Sequence, residues 1–349
     1  MDFKEIIKSF DLKYDNFSIE TIQGGNINST FLVKINYHGK PDEYVLQRIN
    51  SQVFGSPLAI MDNIEVVLNH LDSKILYYIK SKDGKSYFID KEGNYWRIYN
   101  YVQNSISYSS TDNYDLIYET GKAFGNFLLQ VKDVNANLIN ETIPNFHNLV
   151  IRYNRLEKAK NLYRFDDVKD EYLFLLSLKE KACYMQSEFS KGKLPHRIVH
   201  NDAKCSNVLF DRNTLKYLAV VDLDTVMPGL IAYDFGDGAR SICASKGEES
   251  NEFNKIYFCL DKFEQFSKGF LTELKDYLTI NEKQTMHLGV FTLTCELAIR
   301  FLTDYLMGDC YFKINYPTNN KIRALNQIAL LKDIIKKENQ IKIITNKFL

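Results

Sequence analysis

The stretch from residue 198 to residue 237 constrains this chain more than any other part of it. It places His200, Asp202 and Asn207 in the spacing His-x-Asp-x4-Asn, and a second apolar run further on ends in Asp222 and Asp224. Between these two groups lie a short apolar run and a turn-forming segment, which together indicate a β-hairpin. We therefore expect a polar loop, a hairpin and an acidic strand end to form one structural unit.

The residues of this unit suit the transfer of a phosphoryl group from ATP to a hydroxyl. Such a reaction needs a carboxylate that accepts the hydroxyl proton and cations that neutralise the phosphate charge. The loop spacing predicts Asp202 as the base and Asn207 as a metal ligand. Residues 217–224 read as a strand, and because side chains alternate along a strand, Asp222 and Asp224 are expected to point the same way. With the Asn207 amide oxygen, these carboxylates predict a magnesium site.

Two other residues of this stretch need an interpretation. Asp234 begins an Asp-Phe-Gly sequence that marks a metal ligand in protein kinases, but it follows the acidic strand that already fills this role. We expect Asp234 either to cap the next helix or to bind the backbone of the catalytic loop. Cys205 lies inside the loop, but Asp202 and Asn207 already account for that loop, so we interpret Cys205 as a packing residue.

Composition and charge exclude several classes of protein. The chain has 349 residues, of which 45% are hydrophobic, which is enough to bury a large core in two lobes or domains. Lys plus Arg equals Asp plus Glu at 44 each, so the basic excess typical of nucleic-acid binding is missing. No apolar run approaches the roughly 18 residues of a membrane span, and no secretory signal opens the chain. We expect a cytoplasmic protein without nucleic-acid or membrane partners; its oligomeric state is open, with a monomer favoured.

The N-terminal part of the chain predicts a small sheet that binds the nucleotide. Segments at 17–22 and 31–35 flank a loop in which Gly25 and Asn26 are candidates to contact the ATP phosphates, although such a loop is also a plain hairpin turn. A third strand at 43–50 carries Arg48, which is either a cation for the phosphates or a solvated side chain. Glu65, on a predicted helix at 59–76, is one candidate partner for Arg48, with Asp62 or no partner as the alternatives.

The rest of the chain predicts a linker and then a helical region. A hairpin at 86–90 and 95–102 should lead into the linker between lobes, where Tyr99 and Tyr101 are the candidates to meet the adenine. Residues 114 to about 190 and residues 287–308 show helical periodicity. The last of these helices carries Glu296, Arg300 and Asp304 at spacings of four. Such a row is usually a solvated face, but it would supply polar side chains if the helix bordered an acceptor pocket.

Several segments spread over nearly the whole chain carry a family resemblance. They are YVLQRIN at 44–50, WRIYNY at 96–101, the loop with His200, Asn201, Asp202, Lys204 and Asn207, DLDTVMPG at 222–229, YDFGD at 233–237, RFLTDYL at 300–306, and Gly308, Asp309, Tyr311, Phe312 and Lys313. These segments resemble the aminoglycoside phosphotransferase and choline kinase superfamily, and within it the N-acetylhexosamine 1-kinases.

The resemblance implies an α+β, protein-kinase-like bilobal fold. A small nucleotide-binding lobe with an antiparallel sheet would span residues 1–101, and a mostly helical lobe with the catalytic loop and the acceptor site would span residues 102–349. ATP and Mg²⁺ are the implied cofactors. Asp202 would be the base on the anomeric hydroxyl of an N-acetylhexosamine, with Asn207 and Asp222 as magnesium ligands. Arg300 and Tyr311 would contact the sugar.

A small acceptor is favoured over a protein. Only about a dozen residues separate the acidic strand from the next helix, which leaves no room for the activation segment of a protein kinase. Choline, ethanolamine, homoserine or an aminoglycoside are alternative acceptors, and a nucleotide-binding regulator without catalysis is a further alternative. Cationic acceptors demand an acidic or aromatic-lined pocket, so Arg300 in the pocket would count against them.

Overall fold

The computed structural model describes residues 2–22, 28–51, 54–71, 75–160 and 162–349 of the chain. The chain divides into two compact units. The first comprises Met1–Ser105, Asp133–Pro144 and Asp222–Met227, and the second comprises Ile106–Lys132, Asn145–Val221 and Pro228–Leu349. The predicted division between residues 101 and 102 remains a prediction. The acidic segment at 222–227 thus belongs to the first unit, although it is far from the rest of that unit in sequence.

The first unit is built on an antiparallel sheet. Its elements are α1 (Phe3–Lys8), β1 (Asn16–Thr21), β2 (Ser29–Tyr37), β3 (Lys40–Arg48), α2 (Pro57–Leu68), β4 (Tyr78–Ile79), β5 (Phe88–Ile89) and β6 (Tyr95–Asn100), with β7 (Ser105–Ile106) at its boundary. The strand order is β1-β2-β3-β6-β4, and β5 also pairs with β6. Neighbouring strands of this sheet are antiparallel, as predicted.

The helix predicted at 59–76 is shorter in the structure. It begins after Ser56, whose hydroxyl caps the N–H of Ala59, and it ends at Leu68. His70 donates its backbone N–H to the carbonyl of Val67 at 2.9 Å, which is the tighter bond of a helix end. The apolar residues that continue the periodic pattern beyond Leu68 therefore do not belong to the helix.

A hydrophobic core joins α1 to the sheet. The Asp2 carboxylate accepts the N–H groups of Lys4 and Glu5 and so starts the helix. The buried side chains of α1 and of the segment after it pack against β2, β3 and β6; they are Ile6, Ile7 and Phe10, with Val33, Ile35, Leu46, Trp96 and Ile98 on the sheet. This side of the sheet is thus filled by hydrophobic packing.

The second unit is mostly helical, as predicted. Its helices are α3 (Tyr114–Gln130), α4 (Leu149–Lys158), α5 (Lys169–Ser177), α6 (Lys179–Ala182), α7 (Tyr184–Ser190), α8 (Ile231–Cys243), α9 (Leu260–Leu274), α10 (Ile280–Thr285), α11 (Leu288–Leu306), α12 (Asn319–Lys336) and α13 (Glu338–Asn346). Its strands are β8 (Arg197–Val199), the hairpin of β9 (Val208–Asp211) and β10 (Tyr217–Val220), and the end of β11 (Met227–Gly229). Among the described helices, none is both long and apolar enough to cross a bilayer.

Two helix pairs of this unit pack at backbone distance. A Cβ atom on Gly236 of α8 would lie 2.2 Å from the carbonyl oxygen of Gly289 in α11. A Cβ atom on Gly121 of α3 would lie 2.2 Å from the carbonyl oxygen of Phe266 in α9. The first contact fixes α8, the helix that carries Asp234, against α11, and the second fixes α3 against α9. Helices and antiparallel strands that segregate in this way confirm the predicted α+β class.

Candidate active site

The catalytic loop connects β8 to β9 and is held by Asp234. One oxygen of the Asp234 carboxylate accepts the backbone N–H of His200, and the other accepts that of Asn201, each at 2.7 Å. Asn201 has a φ of 62°, in the left-handed region that is costly for most residues but tolerated by Asn. The prediction that Asp234 binds the backbone of this loop is therefore confirmed. The two hydrogen bonds hold the backbone of His200 and Asn201, and Asn201 is in the left-handed conformation.

Asp202 lies among donors that favour its ionised form. Its Oδ2 atom is 2.7 Å from Nζ of Lys204 and 3.0 Å from Nδ2 of Asn207. Burial acts to raise the pKa of Asp202, but Lys204 and the Asn207 amide outweigh it and hold that pKa below its ordinary value. The side chain therefore carries a negative charge at neutral pH and can accept a hydrogen bond from a hydroxyl.

Asn207 is oriented by the same contacts. Its Nδ2 atom donates to both the backbone carbonyl and the carboxylate of Asp202, which leaves Oδ1 as the atom able to bind a metal. Its backbone carbonyl accepts the N–H of Val221 at 2.9 Å, and Val221 directly precedes Asp222 in the chain. The short 3₁₀ turn Cys205–Asn207 thus fixes the amide next to the candidate base.

The buried side chain of His200 supports the loop. Its Nε2 atom is 3.0 Å from the carbonyl of Val221, and its ring packs edge-on against Phe124 and Phe127. Burial lowers its pKa, so the imidazole is neutral. Cys205 is also buried, its sulfur accepts a hydrogen bond from Thr120, and burial raises the pKa of its thiol. A buried, protonated thiol is a poor nucleophile.

The acidic segment differs from the predicted strand. β10 ends at Val220, Asp222 has a left-handed backbone with φ 62° and ψ 54°, and Leu223–Thr225 is a 3₁₀ turn. The expectation that residues 217–224 form one strand is therefore wrong, because the positive φ of Asp222 breaks the alternation. Asp224 lies in this turn and not on a strand. Its side chain is buried and forms an ion pair with Arg97 at 2.6 Å.

The nucleotide-contact candidates of the first unit lie in different settings. Gly25 and Asn26 lie outside the described residues. Arg48, at the end of β3, places Nη2 3.4 Å from the Ser29 hydroxyl, and among the described residues no carboxylate lies within ion-pair distance of it. The candidate partner Glu65 instead contacts Lys80 at 2.7 Å. The predicted phosphate role of Arg48 remains a prediction.

The predicted linker starts where β6 ends. Tyr99 is the last but one residue of β6, pairs with Val45 and Tyr78, and stacks on the Tyr78 ring at 5.2 Å. Tyr101 donates its backbone N–H to the carbonyl of Glu43 at 3.1 Å. Because this N–H is already bonded, an adenine ring at this segment would have to use other backbone groups.

Arg97 is a buried charged residue that the sequence analysis did not single out. It lies between Trp96 and Ile98 in β6, and alternation places it on the sheet face opposite to their buried core. The neighbour of Arg97 in the sheet register is Gln47, not Arg48. The sequence did contain a signal for this residue, namely an arginine in the middle of an apolar strand. A charged residue in such a strand is buried only if it has a partner of opposite charge.

A polar and aromatic cluster surrounds Arg300 in the second unit. We call His147, Arg152, Glu296, Arg300 and Tyr311 the acceptor cluster. The guanidinium of Arg300 lies 5.0 Å from the ring of Phe146, 5.3 Å from that of Phe312 and 5.7 Å from that of Tyr311. Glu296 is 2.8 Å from His147 Nδ1, and its Oε1 is 3.7 Å from Arg152 and 3.8 Å from Arg300. The predicted row on α11 is therefore not a solvated face, since Glu296 and Asp304 are buried.

Asp304 fixes the loop that carries Tyr311. Its two carboxylate oxygens accept the backbone N–H groups of Cys310, Tyr311 and Phe312 at 2.8–3.1 Å, and Asn320 donates to the same carboxylate at 2.9 Å. The Tyr311 ring itself is largely exposed. An exposed aromatic ring on a rigid loop beside a guanidinium is a suitable contact for a polar ligand.

The donor set of the predicted metal ligands fits magnesium. Asn207 supplies an amide oxygen and Asp222 a carboxylate, which are the oxygen ligands that this hard cation prefers. The described residues contain no cluster of three or more His, Cys, Asp or Glu side chains that would bind a softer metal by themselves. A Mg²⁺ ion that keeps water and phosphate oxygens in its shell needs only one or two such protein ligands.

Comparisons with known proteins indicate the family and the fold of this chain. Residues 18–265, more than half of the chain, match the family described as the phosphotransferase enzyme family, APH. The structure is similar to a microcompartment-associated aminopropanol kinase, with a TM-score of 0.60 and 16% identity over 95% of this chain and 96% of that one. It is also similar to choline kinase from Cryptosporidium parvum Iowa II, with a TM-score of 0.57 and 12% identity over 97% and 94% of the two chains.

A third similar structure is spectinomycin phosphotransferase in complex with ADP and spectinomycin, with a TM-score of 0.53 and 14% identity over 97% of this chain and 95% of that one. At these identities the similarity concerns the fold, and it confirms the predicted kinase-like fold. The family match confirms the coarser part of the predicted resemblance, a phosphotransferase, while the hexosamine acceptor remains a prediction. The chain therefore belongs to the phosphotransferase enzyme family.

Proposed function

We propose that this protein transfers the γ-phosphoryl group of ATP to the anomeric C1 hydroxyl of an N-acetylhexosamine, N-acetylglucosamine or N-acetylgalactosamine, and so forms the sugar 1-phosphate. The observation that carries the phosphoryl-transfer part is the arrangement of Asp202, whose carboxylate is kept ionised by Lys204 and by the amide of Asn207. This is the constellation expected for a base that receives a hydroxyl proton.

Each polar residue of the catalytic loop has a separate role in the proposed reaction. As the acceptor oxygen bonds to the γ-phosphorus, its proton passes to a carboxylate oxygen of Asp202, and the bond between the γ-phosphorus and the bridging oxygen breaks to release ADP. Lys204 provides a positive charge beside the reacting carboxylate. Oδ1 of Asn207 and the carboxylate of Asp222 are the proposed magnesium ligands. The bound ion would supply neutralisation of the phosphate charge.

The acceptor cluster supports a neutral acceptor. Arg152 and Arg300 carry two positive charges, and Glu296 carries one negative charge whose pKa is lowered, against the effect of burial, by His147 and both arginines. The excess of positive charge disfavours cationic acceptors such as choline, ethanolamine and aminoglycosides. Arg300 and Tyr311 offer hydrogen-bond donors to the hydroxyl or acetamido oxygens of a hexosamine. The positive charge of the acceptor cluster and the sequence resemblance together support a hexosamine as the acceptor.

An acceptor screen tests this proposal. The purified protein is incubated with ATP and Mg²⁺ and with each of N-acetylglucosamine, N-acetylgalactosamine, choline, ethanolamine, homoserine and an aminoglycoside, and phosphate esters are identified by ³¹P NMR and mass spectrometry. We expect a sugar 1-phosphate from at least one hexosamine, formed about 10²–10⁴ times more slowly by the Asp202→Asn variant. Product from a cationic acceptor alone would reassign the substrate class. ADP binding without turnover of any acceptor would favour a nucleotide-binding regulator.

A further inference from the structure

The first unit contains an ion pair between two almost completely buried side chains, Arg97 and Asp224. Their side chains are 1% and 2% exposed, and Nη1 of Arg97 lies 2.6 Å from Oδ1 of Asp224. A buried charge is costly unless it is paired and its remaining polar atoms are bonded. Burial acts to lower the pKa of Arg97, but the Asp224 carboxylate outweighs this effect and raises it, so the guanidinium keeps its positive charge.

The two carboxylate oxygens of Asp224 have different surroundings, since Oδ1 forms the ion pair with Arg97 but accepts no hydrogen bond among the described residues. Oδ1 faces Arg97, and Oδ2 accepts a hydrogen bond of 2.7 Å from Nδ2 of Asn28. The other nitrogens of Arg97 are also engaged, since Nε and Nη2 donate to Oε1 of Gln47 at 3.0 and 2.8 Å. Asn28 is held in turn, because its Oδ1 accepts the backbone N–H of Asn50 at 3.0 Å. Asp224 is thus the centre of a network within the first unit.

The backbone of the acidic segment is fixed by the same unit. The hydroxyl of Thr142 lies 3.3 Å from the carbonyl of Asp224, and Nδ2 of Asn63 donates to the carbonyl of Val226 at 3.0 Å. Asp222, two residues before Asp224, has the left-handed backbone described above, which for a non-glycine residue persists only when its surroundings hold it. The Arg97–Asp224 pair provides the strongest of these anchors, because it alone joins two full charges.

We propose that Asp224 is a positioning residue and not a metal ligand, and that Arg97 acts with it as one unit. The pair fixes the segment Leu223–Thr225 in the first unit and so sets the direction in which the preceding residue, Asp222, presents its carboxylate to the magnesium–nucleotide complex. This inference rests on the metal role of Asp222 in the proposed function. A metal ligand at Asp224 would have to share its oxygens with Asn28 and with the buried guanidinium.

A double-mutant cycle tests whether the two residues act as a pair. ADP binding is measured by titration calorimetry in Mn²⁺ and in EDTA, well below the unfolding temperature of each variant, and the ratio of the two affinities reports metal-assisted binding. We expect Arg97→Met and Asp224→Leu each to lower this ratio by about tenfold or more, as for loss of a supporting residue at a metal site. The double variant Arg97→Met/Asp224→Leu should recover to within about threefold of wild type, because no unpaired buried charge remains.

Two other results would contradict the positioning role of Asp224. A double variant that stays as low as Asp222→Asn, although its thermal unfolding midpoint has recovered, would show that the Asp224 carboxylate itself binds the metal. If the charged-pair variants do not fold, Asn28→Ala supplies the same information, since it removes the partner of Oδ2 and the acceptor of the Asn50 N–H but leaves the ion pair in place. A positioning role predicts a ratio several-fold lower in Asn28→Ala, whereas a ligand freed from Asn28 would bind the metal equally well or better.

The readout separates this inference from the proposed function. Metal-assisted ADP binding needs no acceptor. A failed acceptor screen would therefore overturn the hexosamine assignment, but the ADP affinities of the double-mutant cycle could still be interpreted. Wild-type protein that binds ADP equally well in Mn²⁺ and in EDTA would overturn the metal role of Asp222 and, with it, the positioning role of Asp224. Recovery in the double variant supports the pair whatever the acceptor is.

Discussion

One amide nitrogen of Asn207 holds Asp202 at two points, with Nδ2 2.9 Å from its backbone carbonyl and 3.0 Å from its carboxylate. The candidate base and the candidate metal ligand are therefore oriented by each other. A substitution at position 202 that keeps an oxygen acceptor should therefore preserve the orientation of Asn207.

Replacement of Asp202 by Asn should abolish most of the turnover without unfolding the loop. Asn keeps the shape of the side chain but cannot take a proton, and loss of a general base typically lowers kcat by about 10²–10⁴. ADP affinity and the thermal midpoint should stay close to those of wild type. A loss of kcat smaller than about tenfold would mean that another group accepts the proton.

Asp234 should make the stability of the protein depend on pH. Burial raises its pKa to about 7, against the effect of the backbone N–H groups of His200 and Asn201. A carboxyl group with a pKa raised above its unfolded value binds a proton more tightly in the native state, so its stabilising contribution is complete below about pH 4 and is lost as pH rises through about 7. Relative to Asp234→Asn, the free energy of unfolding of wild type in urea should decline from pH 5 to pH 8. Parallel curves for the two proteins would contradict the raised pKa.

Replacement of Arg300 by Met should affect the acceptor and spare the nucleotide. If the guanidinium donates to the sugar, its removal costs a charge-assisted hydrogen bond, and the KM for the acceptor should rise by about ten- to a hundredfold. The affinity for ADP should not change. The exposed Arg155 on α4 offers a matched control, since Arg155→Met removes a charge that Arg152 senses without removing a side chain of the acceptor cluster. An equal rise of KM in both variants would point to a general electrostatic effect.

Glycine at position 236 should be essential for packing in the second unit. A Cβ atom there would meet the carbonyl of Gly289 at 2.2 Å, so Gly236→Ala must push α8 away from α11. Overpacking of this kind costs about 1–3 kcal/mol or more of unfolding free energy, because backbone atoms cannot rotate out of the way. Gly247→Ala is the control, since a Cβ atom on Gly247 would have no neighbouring atom within 4 Å. Equal unfolding midpoints for the two variants would refute the close packing.

Local patterns predicted much of the first unit and of the catalytic loop. The strands of the sheet follow from apolar runs and turn residues close in sequence, and the loop follows from the spacing of His200, Asp202 and Asn207. The end of α2 and the course of the acidic segment were not predicted correctly. Apolar periodicity continues past Leu68, and no local signal announces the positive φ of Asp222, since Asp is compatible with several backbone conformations.

The amino-acid sequence alone indicated the family, the antiparallel sheet and the mostly helical region, because several short segments carry the family resemblance. It also indicated the candidate base, because Asp202 lies in a short loop of fixed spacing. The pairing of cations with carboxylates, in contrast, became visible only in the folded chain. Sequence order offered Arg48 and Glu65, whereas the fold pairs Arg97 with Asp224 and leaves Glu65 with Lys80. The physical reason is that a buried charge takes the partner that long-range packing brings to it, and residues of distant segments become neighbours only when the chain is folded.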